Sequence, residues 1–181
     1  QNVPSSTGID TIMPCLFRTR GTNMIGITTG GTLTLADITT KVSGSYNTNY
    51  SVFINGGGSL ILNSGATLFS QNIYSANINV VYINDGNLTM NNNSLITPSP
   101  TTTPIIYSGT GIYLSGTSSM ATLNGGSVIE KQTSYAIYAS RGATVNIDGS
   151  VIQDCVYSGA IPVRMTDVNT VVNMTAGKII N

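Results

Sequence analysis

The chain has 181 residues, a length that fits one domain or one elongated repeat array. Only 8% of the residues are charged, against about 25% in an ordinary soluble protein, and seven Lys and Arg balance seven Asp and Glu. This balance disfavours nucleic acid as a partner, and the absence of any long apolar run predicts that no helix spans a membrane. The 40% apolar fraction and the many β-branched residues predict an ordered β protein.

The first 22 residues differ from the rest of the chain. They contain an apolar run, TIMPCLF (residues 11–17), followed by the polar residues 18–21. We predict two regions: residues 1–22 form an N-terminal cap, an irregular first coil or an arm that docks on a neighbouring subunit, and residues 23–181 form repeats. The possible subunit contacts in the first region are Ile12, Leu16 and Phe17.

From residue 23 onward, six short strands with alternating apolar residues recur. They read TLTL (32–35), SLIL (59–62), NLTM (87–90), MATL (120–123), TVNI (144–147) and VVNM (171–174), and they start 27, 28, 33, 24 and 27 residues apart. An apolar period of two predicts β-strands rather than helices. The predicted inward residues form a core ladder: Leu33, Leu35, Leu60, Leu62, Leu88, Met90, Ala121, Leu123, Val145, Ile147, Val172 and Met174.

Each of these middle strands has an apolar strand before it and another after it. Three strands per repeat of this length predict an all-β fold, a single-stranded right-handed parallel β-helix of about six coils, in which equivalent side chains stack. Asn63, Asn91 and Asn124 directly follow three middle strands and predict a hydrogen-bonded amide ladder. The proline-rich segment 98–104 is predicted to bulge from the third coil.

Several runs carry a resemblance to a known family. GGTLTL (30–35), GGSLILNSGATL (57–68), TLNGGSVI (122–129) and ATVNIDGSVIQDC (143–155) resemble the repeats of pectin-lyase-like parallel β-helix proteins, closest in style to microbial surface and adhesin-like β-solenoids. The resemblance covers about residues 23–181. It implies the fold but not one function, because this fold hosts lyases, hydrolases, tailspikes, autotransporters and adhesins.

The chain offers little for catalysis. It has no His, and its seven acidic residues are dispersed along the sequence. Glu130 and Asp154 follow trailing strands of adjacent coils, where they could form an acid pair with Lys131 and Arg141; the alternative, which we favour, is a solvated charge cluster. We therefore predict no enzyme activity, no catalytic or metal-binding residues and no cofactor.

Tyr82, Tyr113 and Tyr138 occupy similar places in three leading strands. They predict an outward aromatic face that binds glycans or packs subunits, and the alternative is simple cross-strand packing. Arg141 and Arg164 are predicted to stack on one another, where they either bind an anionic sugar or discourage lateral strand pairing.

Two further features concern cross-links and ends. Cys15 and Cys155 could form a disulfide only if the N-terminal segment reached the fifth coil; otherwise both are buried free thiols. Ile179 and Ile180 lie in the last trailing strand and are possible subunit contacts.

These features predict a structural β-solenoid subunit of an extracellular filament or surface layer, which assembles with itself head to tail. The alternatives are an adhesin-like glycan-binding module and, less favoured, a polysaccharide lyase or hydrolase.

Overall fold

A computed structural model of the chain describes residues 15–18, 25–43, 50–71, 79–98, 109–155 and 160–180. The described residues form seventeen β-strands, numbered β1 to β17 in chain order, and no helix. The all-β prediction is therefore confirmed. The predictions for Ile12 and for the proline-rich segment after residue 98 lie outside the described residues.

The strands lie on three faces, and the chain visits the faces in a fixed order. The first face contains β2 (Ile25–Ile27), β5 (Tyr50–Asn55), β8 (Asn79–Asn84), β11 (Thr110–Ser115), β14 (Tyr135–Ser140) and β16 (Ile161–Met165). The second face contains β3 (Thr32–Leu35), β6 (Ser59–Leu62), β9 (Asn87–Met90) and β12 (Met120–Asn124). The third face contains β1 (Cys15–Arg18), β4 (Thr39–Ser43), β7 (Thr67–Gln71), β10 (Leu95–Pro98) and β13 (Val128–Glu130).

Two long strands, β15 (Thr144–Gln153) and β17 (Val171–Ile180), run through the corner between the second and third faces. Their first halves pair on the second face and their second halves on the third. Glycine lets the chain round this corner: Gly177 has a φ of 111°, and an added Cβ there would collide with the backbone of Ser150 in the coil beneath.

Every strand pairs in parallel with the equivalent strand of an adjacent repeat. On the second face, Leu33 aligns with Leu60, Leu60 with Leu88, and Leu88 with Ala121. The register continues from Ala121 to Val145 and Val172. The chain is therefore a parallel β-solenoid, as the repeat pattern predicts. It makes about five turns rather than about six coils, because the six strands of the first face are separated by only five stacking steps.

The predicted core ladder lines the interior of the stack. Nine of its members are buried, and Leu33 and Val172 pack half-buried against that core. The exception is Met174, which is 45% exposed. Met174 aligns with the buried Ile147, but no described strand covers it from the other side, so the prediction that it is a core residue is wrong.

Amide ladders run along the corners. Asn91 Nδ2 donates to Asn63 Oδ1 over 2.8 Å, and Asn124 Nδ2 donates to Asn91 Oδ1 over 2.7 Å. These bonds confirm the predicted ladder. An asparagine side chain carries both hydrogen-bond donors and an acceptor. It can therefore donate to the asparagine of one neighbouring coil and accept from that of the other, at every level of the stack.

The structure excludes the possible disulfide. Cys15 lies in β1, and Cys155 follows the second half of β15, which is five strand spacings away on the same face. At about 4.8 Å per spacing this is roughly 24 Å, far beyond the reach of an S–S bond. The Cys155 thiol is free and buried, and burial raises its pKa, with the charge of Asp154 acting in the same direction.

Within the ranges that the structure describes, no helix is long and apolar enough to cross a membrane.

Candidate functional site

A continuous aromatic ladder runs along the outside of the first face. Phe53, Tyr82, Tyr113 and Tyr138 occupy the same register position in β5, β8, β11 and β14. Their side chains are half-buried, whereas the residues on either side, such as Ile112 and Leu114 next to Tyr113, are buried. Strand alternation thus places the rings outside and the aliphatic residues inside, so the structure brings the three predicted tyrosines together.

The rings of this aromatic ladder pack mainly on one another. Tyr113 and Tyr138 stack with centroids 4.8 Å apart and an interplanar angle of 6°, while Tyr82 and Tyr113 are tilted by 57° at 5.1 Å. Tyr50 stacks on Tyr82 at 4.5 Å. Ring faces are therefore largely occupied within the ladder. This geometry matches the cross-strand packing alternative, because a sugar that stacks on an aromatic ring needs a free face.

Arg164 covers one end of the aromatic ladder. It aligns with Tyr138, and its guanidinium lies 5.4 Å from the ring centroid of Tyr135 and 5.8 Å from that of Tyr138. Its Nη1 donates a 2.6 Å hydrogen bond to the Tyr135 hydroxyl oxygen. The exposed cation is thus held by two aromatic rings and one hydrogen bond.

The predicted stacking of Arg141 on Arg164 is wrong. Arg164 lies within β16, at the aromatic position, whereas Arg141 follows β14 at a corner with a φ of 55°. The Arg141 backbone N–H donates to Asp167 Oδ2 over 2.6 Å. Arg164 therefore lies on the first face of its coil, whereas Arg141 lies at a corner of the adjacent coil. The two side chains do not form a joint anion site.

Sequence reasoning missed Tyr50, Phe53 and Tyr135 as members of this surface. Phe53 could have been found, because it occupies the centre of VFI as Tyr113 does in IYL. Tyr50 and Tyr135 lie three residues before the aromatic position and lean onto it, which periodicity does not indicate. The pKa of Tyr50 is raised, first by burial and then by repulsion with Tyr82 and Tyr113, which reflects how closely the phenols are gathered.

The second candidate site is a polar cluster around Glu130 on the third face. Its Oε1 accepts from Lys131 Nζ over 3.0 Å and from Thr97 Oγ1 over 3.1 Å, and its Oε2 accepts from Gln153 Nε2 over 3.0 Å. Burial alone would raise the pKa of this carboxyl, but the hydrogen bonds from Lys131 and Gln153, the Lys131 charge and the Thr97 hydrogen bond outweigh it. The pKa of Glu130 is consequently lowered.

The Glu130 cluster is not an acid pair. Glu130 aligns with Gln153 rather than with Asp154, and a carboxylate held ionised by three donors is a poor general acid. Among the described residues no group of three or more His, Cys, Asp or Glu could hold a metal ion. The absence of enzyme activity stays a prediction.

The third candidate surface is the end of the stack formed by β16 and β17. It exposes apolar side chains that are 44 to 53% accessible: Ile161, Met165, Val171, Met174, Ile179 and Ile180. Ile179 aligns with Ile152, which is buried one level below, so the exposed residue occupies a core position of the ladder. Among the described residues nothing covers this end face of the stack, so it is a cross-section of the core.

Comparison of the chain with family models, with curated proteins and with solved structures finds no match.

Proposed function

We propose that the chain is a structural β-solenoid subunit that lengthens by head-to-tail stacking of its end coils. One observation carries the proposal: β1 and the second half of β17 are the outermost strands at opposite ends of the same parallel face. Within the described residues, β1 pairs only with β4, and β17 pairs only with β15. Each strand therefore has one free edge. Both are edges of parallel strands on the third face, and edges of this type pair with one another inside the stack.

The free edge of β17 is oriented to accept another strand. The Ile180 carbonyl accepts a hydrogen bond from the Asp154 N–H, so the backbone groups of Ile180 point back into the stack. Alternate residues of a strand direct their N–H and C=O groups to opposite sides, so those of Ile179 point outward. Meanwhile the Ile179 side chain, 45% exposed, continues the buried ladder through Ile152. A strand placed on this edge gains both a hydrogen-bonded partner and apolar cover.

The opposite end is stepped. β1 extends the third face one strand beyond β2 and β3 on the other two faces. We therefore assign the contact to the third face, where β1 of one copy, which contains Leu16 and Phe17, adds to the strand of Ile179 and Ile180 in the next. Such a contact joins two different surfaces and does not close on itself, so it generates a filament rather than a dimer.

Proline tests the contact at residue 179. Ile179→Pro removes the outward N–H and keeps the inward hydrogen bonds of Ile180, so the solenoid remains folded and loses the donor for the added strand. Ile179→Val is the matched control, because it keeps the N–H and the apolar side chain.

We expect sedimentation velocity to show concentration-dependent oligomers for the wild-type chain and for Ile179→Val, and monomers for Ile179→Pro with an unchanged circular dichroism spectrum. Equal assembly of the two variants would contradict pairing at this edge. A wild-type chain that remains monomeric at every concentration would contradict the proposed function itself.

The extracellular location and the relation to pectin-lyase-like or adhesin-like surface proteins belong to the same proposal. They are supported by the repeat motifs, such as the run at residues 57–68. Fractionation of the source cells tests the location: we expect the chain in the surface or secreted fraction, and recovery from the cytosol alone would contradict it.

A glycan-binding module is the second candidate. The observation that favours it is the exposed Arg164 guanidinium beside the outward aromatic ladder, which together could hydrogen-bond an oligosaccharide along the edges of the rings. A glycan array is the test: we expect ligands that are lost with Arg164→Ala and Tyr138→Ala, and an array without ligands would contradict it.

A further inference from the structure

The stacked tyrosines of the aromatic ladder are arranged for a covalent reaction that the structural role does not require. Tyr113 and Tyr138 lie in register on paired parallel strands, so their backbones cannot drift apart while the solenoid is folded. Their rings are 4.8 Å apart between centroids and within 6° of parallel. Both side chains are half-buried, so each tyrosine remains partly accessible to solvent.

Two phenoxyl radicals form dityrosine by joining the ring carbons next to their hydroxyl-bearing carbons. The new bond forms between p orbitals that are perpendicular to each ring, so the rings must approach face to face. The Tyr113–Tyr138 pair meets this requirement, as does the Tyr50–Tyr82 pair at 19°. The Tyr82–Tyr113 pair does not, because its rings are tilted by 57°.

We propose that the Tyr113–Tyr138 pair is an oxidative modification site, at which a peroxide and a peroxidase form a dityrosine bond between adjacent coils. Each tyrosine loses one electron and one proton to give a phenoxyl radical, and the two radicals couple through one carbon–carbon bond. The hydrogens on the joined carbons then transfer to the oxygens, which restores both phenols. One molecule of hydrogen peroxide takes up the two electrons and two protons and becomes two molecules of water.

Two features favour this coupling: proximity within the chain, and the scarcity of competing electron donors. Holding two reactants in contact raises their effective concentration by many orders of magnitude over a dilute solution. In addition, the chain contains no Trp, whose indole would compete as an electron donor, and the Cys155 thiol is buried. The bond would fasten β11 to β14 on the outside of the stack, independently of any contact between copies.

The sequence supplies a direct readout. Trypsin cleaves after Lys131 and Arg141 and so releases the peptide 132–141, QTSYAIYASR, which carries Tyr135 and Tyr138. Tyr113 lies on the preceding tryptic peptide, residues 42–131. A Tyr113–Tyr138 bond therefore retains the short peptide on the long one, whereas a Tyr135–Tyr138 bond would not.

The experiment treats dilute chain with horseradish peroxidase and hydrogen peroxide, and then measures dityrosine fluorescence, intact mass and the tryptic map. We expect a monomer lighter by two hydrogens for each bond, with peptide 132–141 joined to 42–131 through Tyr138 and Tyr113. Tyr113→Phe and Tyr138→Phe, which keep the stacked rings, should each abolish this linkage. Tyr50→Phe is the matched control, and it should leave the linkage intact.

Denaturant provides a second check that does not depend on any variant. Unfolding separates the two strands, so the unfolded wild-type chain should lose the Tyr113–Tyr138 linkage under the same oxidation. Three results would overturn the proposal: no dityrosine, dityrosine between chains only, or a joined peptide 132–141 that persists in Tyr113→Phe or in denaturant.

Discussion

The replacement Leu88→Ala tests whether the apolar ladder stabilises the stack. Leu88 is 1% exposed and lies between Leu60 in the coil before it and Ala121 in the coil after it. The truncation removes three buried carbons and leaves a cavity next to Ala121. Because Ala121 is itself small, its side chain cannot fill that cavity. We expect the free energy of unfolding to fall by about 3 kcal/mol, within the usual range for buried leucine.

Leu33→Ala is the matched control. Leu33 belongs to the same ladder, but it lies in the outermost strand of that face and is only half-buried. Its truncation should cost roughly 1 kcal/mol, because less apolar surface is removed from contact. The assay is equilibrium urea unfolding at a concentration where the chain is monomeric, since assembly would add stability. Equal losses for the two variants would refute the register that places Leu88 centrally.

Three further predictions concern polar and backbone features. Asn91→Ala breaks both bonds of the amide ladder and should lower the free energy of unfolding by about 1–3 kcal/mol, measured by urea unfolding; no loss would contradict the ladder. Gly177→Ala should cost more than about 1 kcal/mol in the same assay, because φ is 111° and the Cβ meets the Ser150 backbone; wild-type stability would show that the corner relaxes. The lowered pKa of Glu130 stabilises the fold above the ordinary glutamate pKa, and this stabilisation is lost as pH falls through the folded value. Glu130→Gln should therefore flatten the acid limb of a stability–pH curve, and an unchanged limb would contradict the cluster.

The fold could be predicted because a β-solenoid repeats one unit, so the sequence period contains the topology. The strand at residues 59–62 and its equivalents share one alternation, and parallel pairing in register follows once the strands are stacked. The same reasoning placed the amide ladder at Asn91, because a residue that follows each middle strand must lie above its equivalents.

The parts that failed depend on position along the stack, on side-chain direction or on strand ends rather than on the repeat. Met174 has the periodicity of a core residue, yet its exposure is decided by what covers the last coil. The missed Tyr50 and Tyr135 reach the aromatic ladder through side-chain direction, which periodicity does not report. Arg164 likewise aligns with Tyr138 because β16 extends through Met165, and the period of the repeat does not fix where a strand ends.

The most direct test of the central claim is electron cryo-microscopy of the purified chain at increasing concentration. Stacking of copies along the solenoid axis predicts unbranched filaments whose diffraction contains a layer line at about 4.8 Å along the axis, the strand spacing within and between copies. Dispersed particles at every concentration, or filaments whose strands run parallel to the axis, would contradict it.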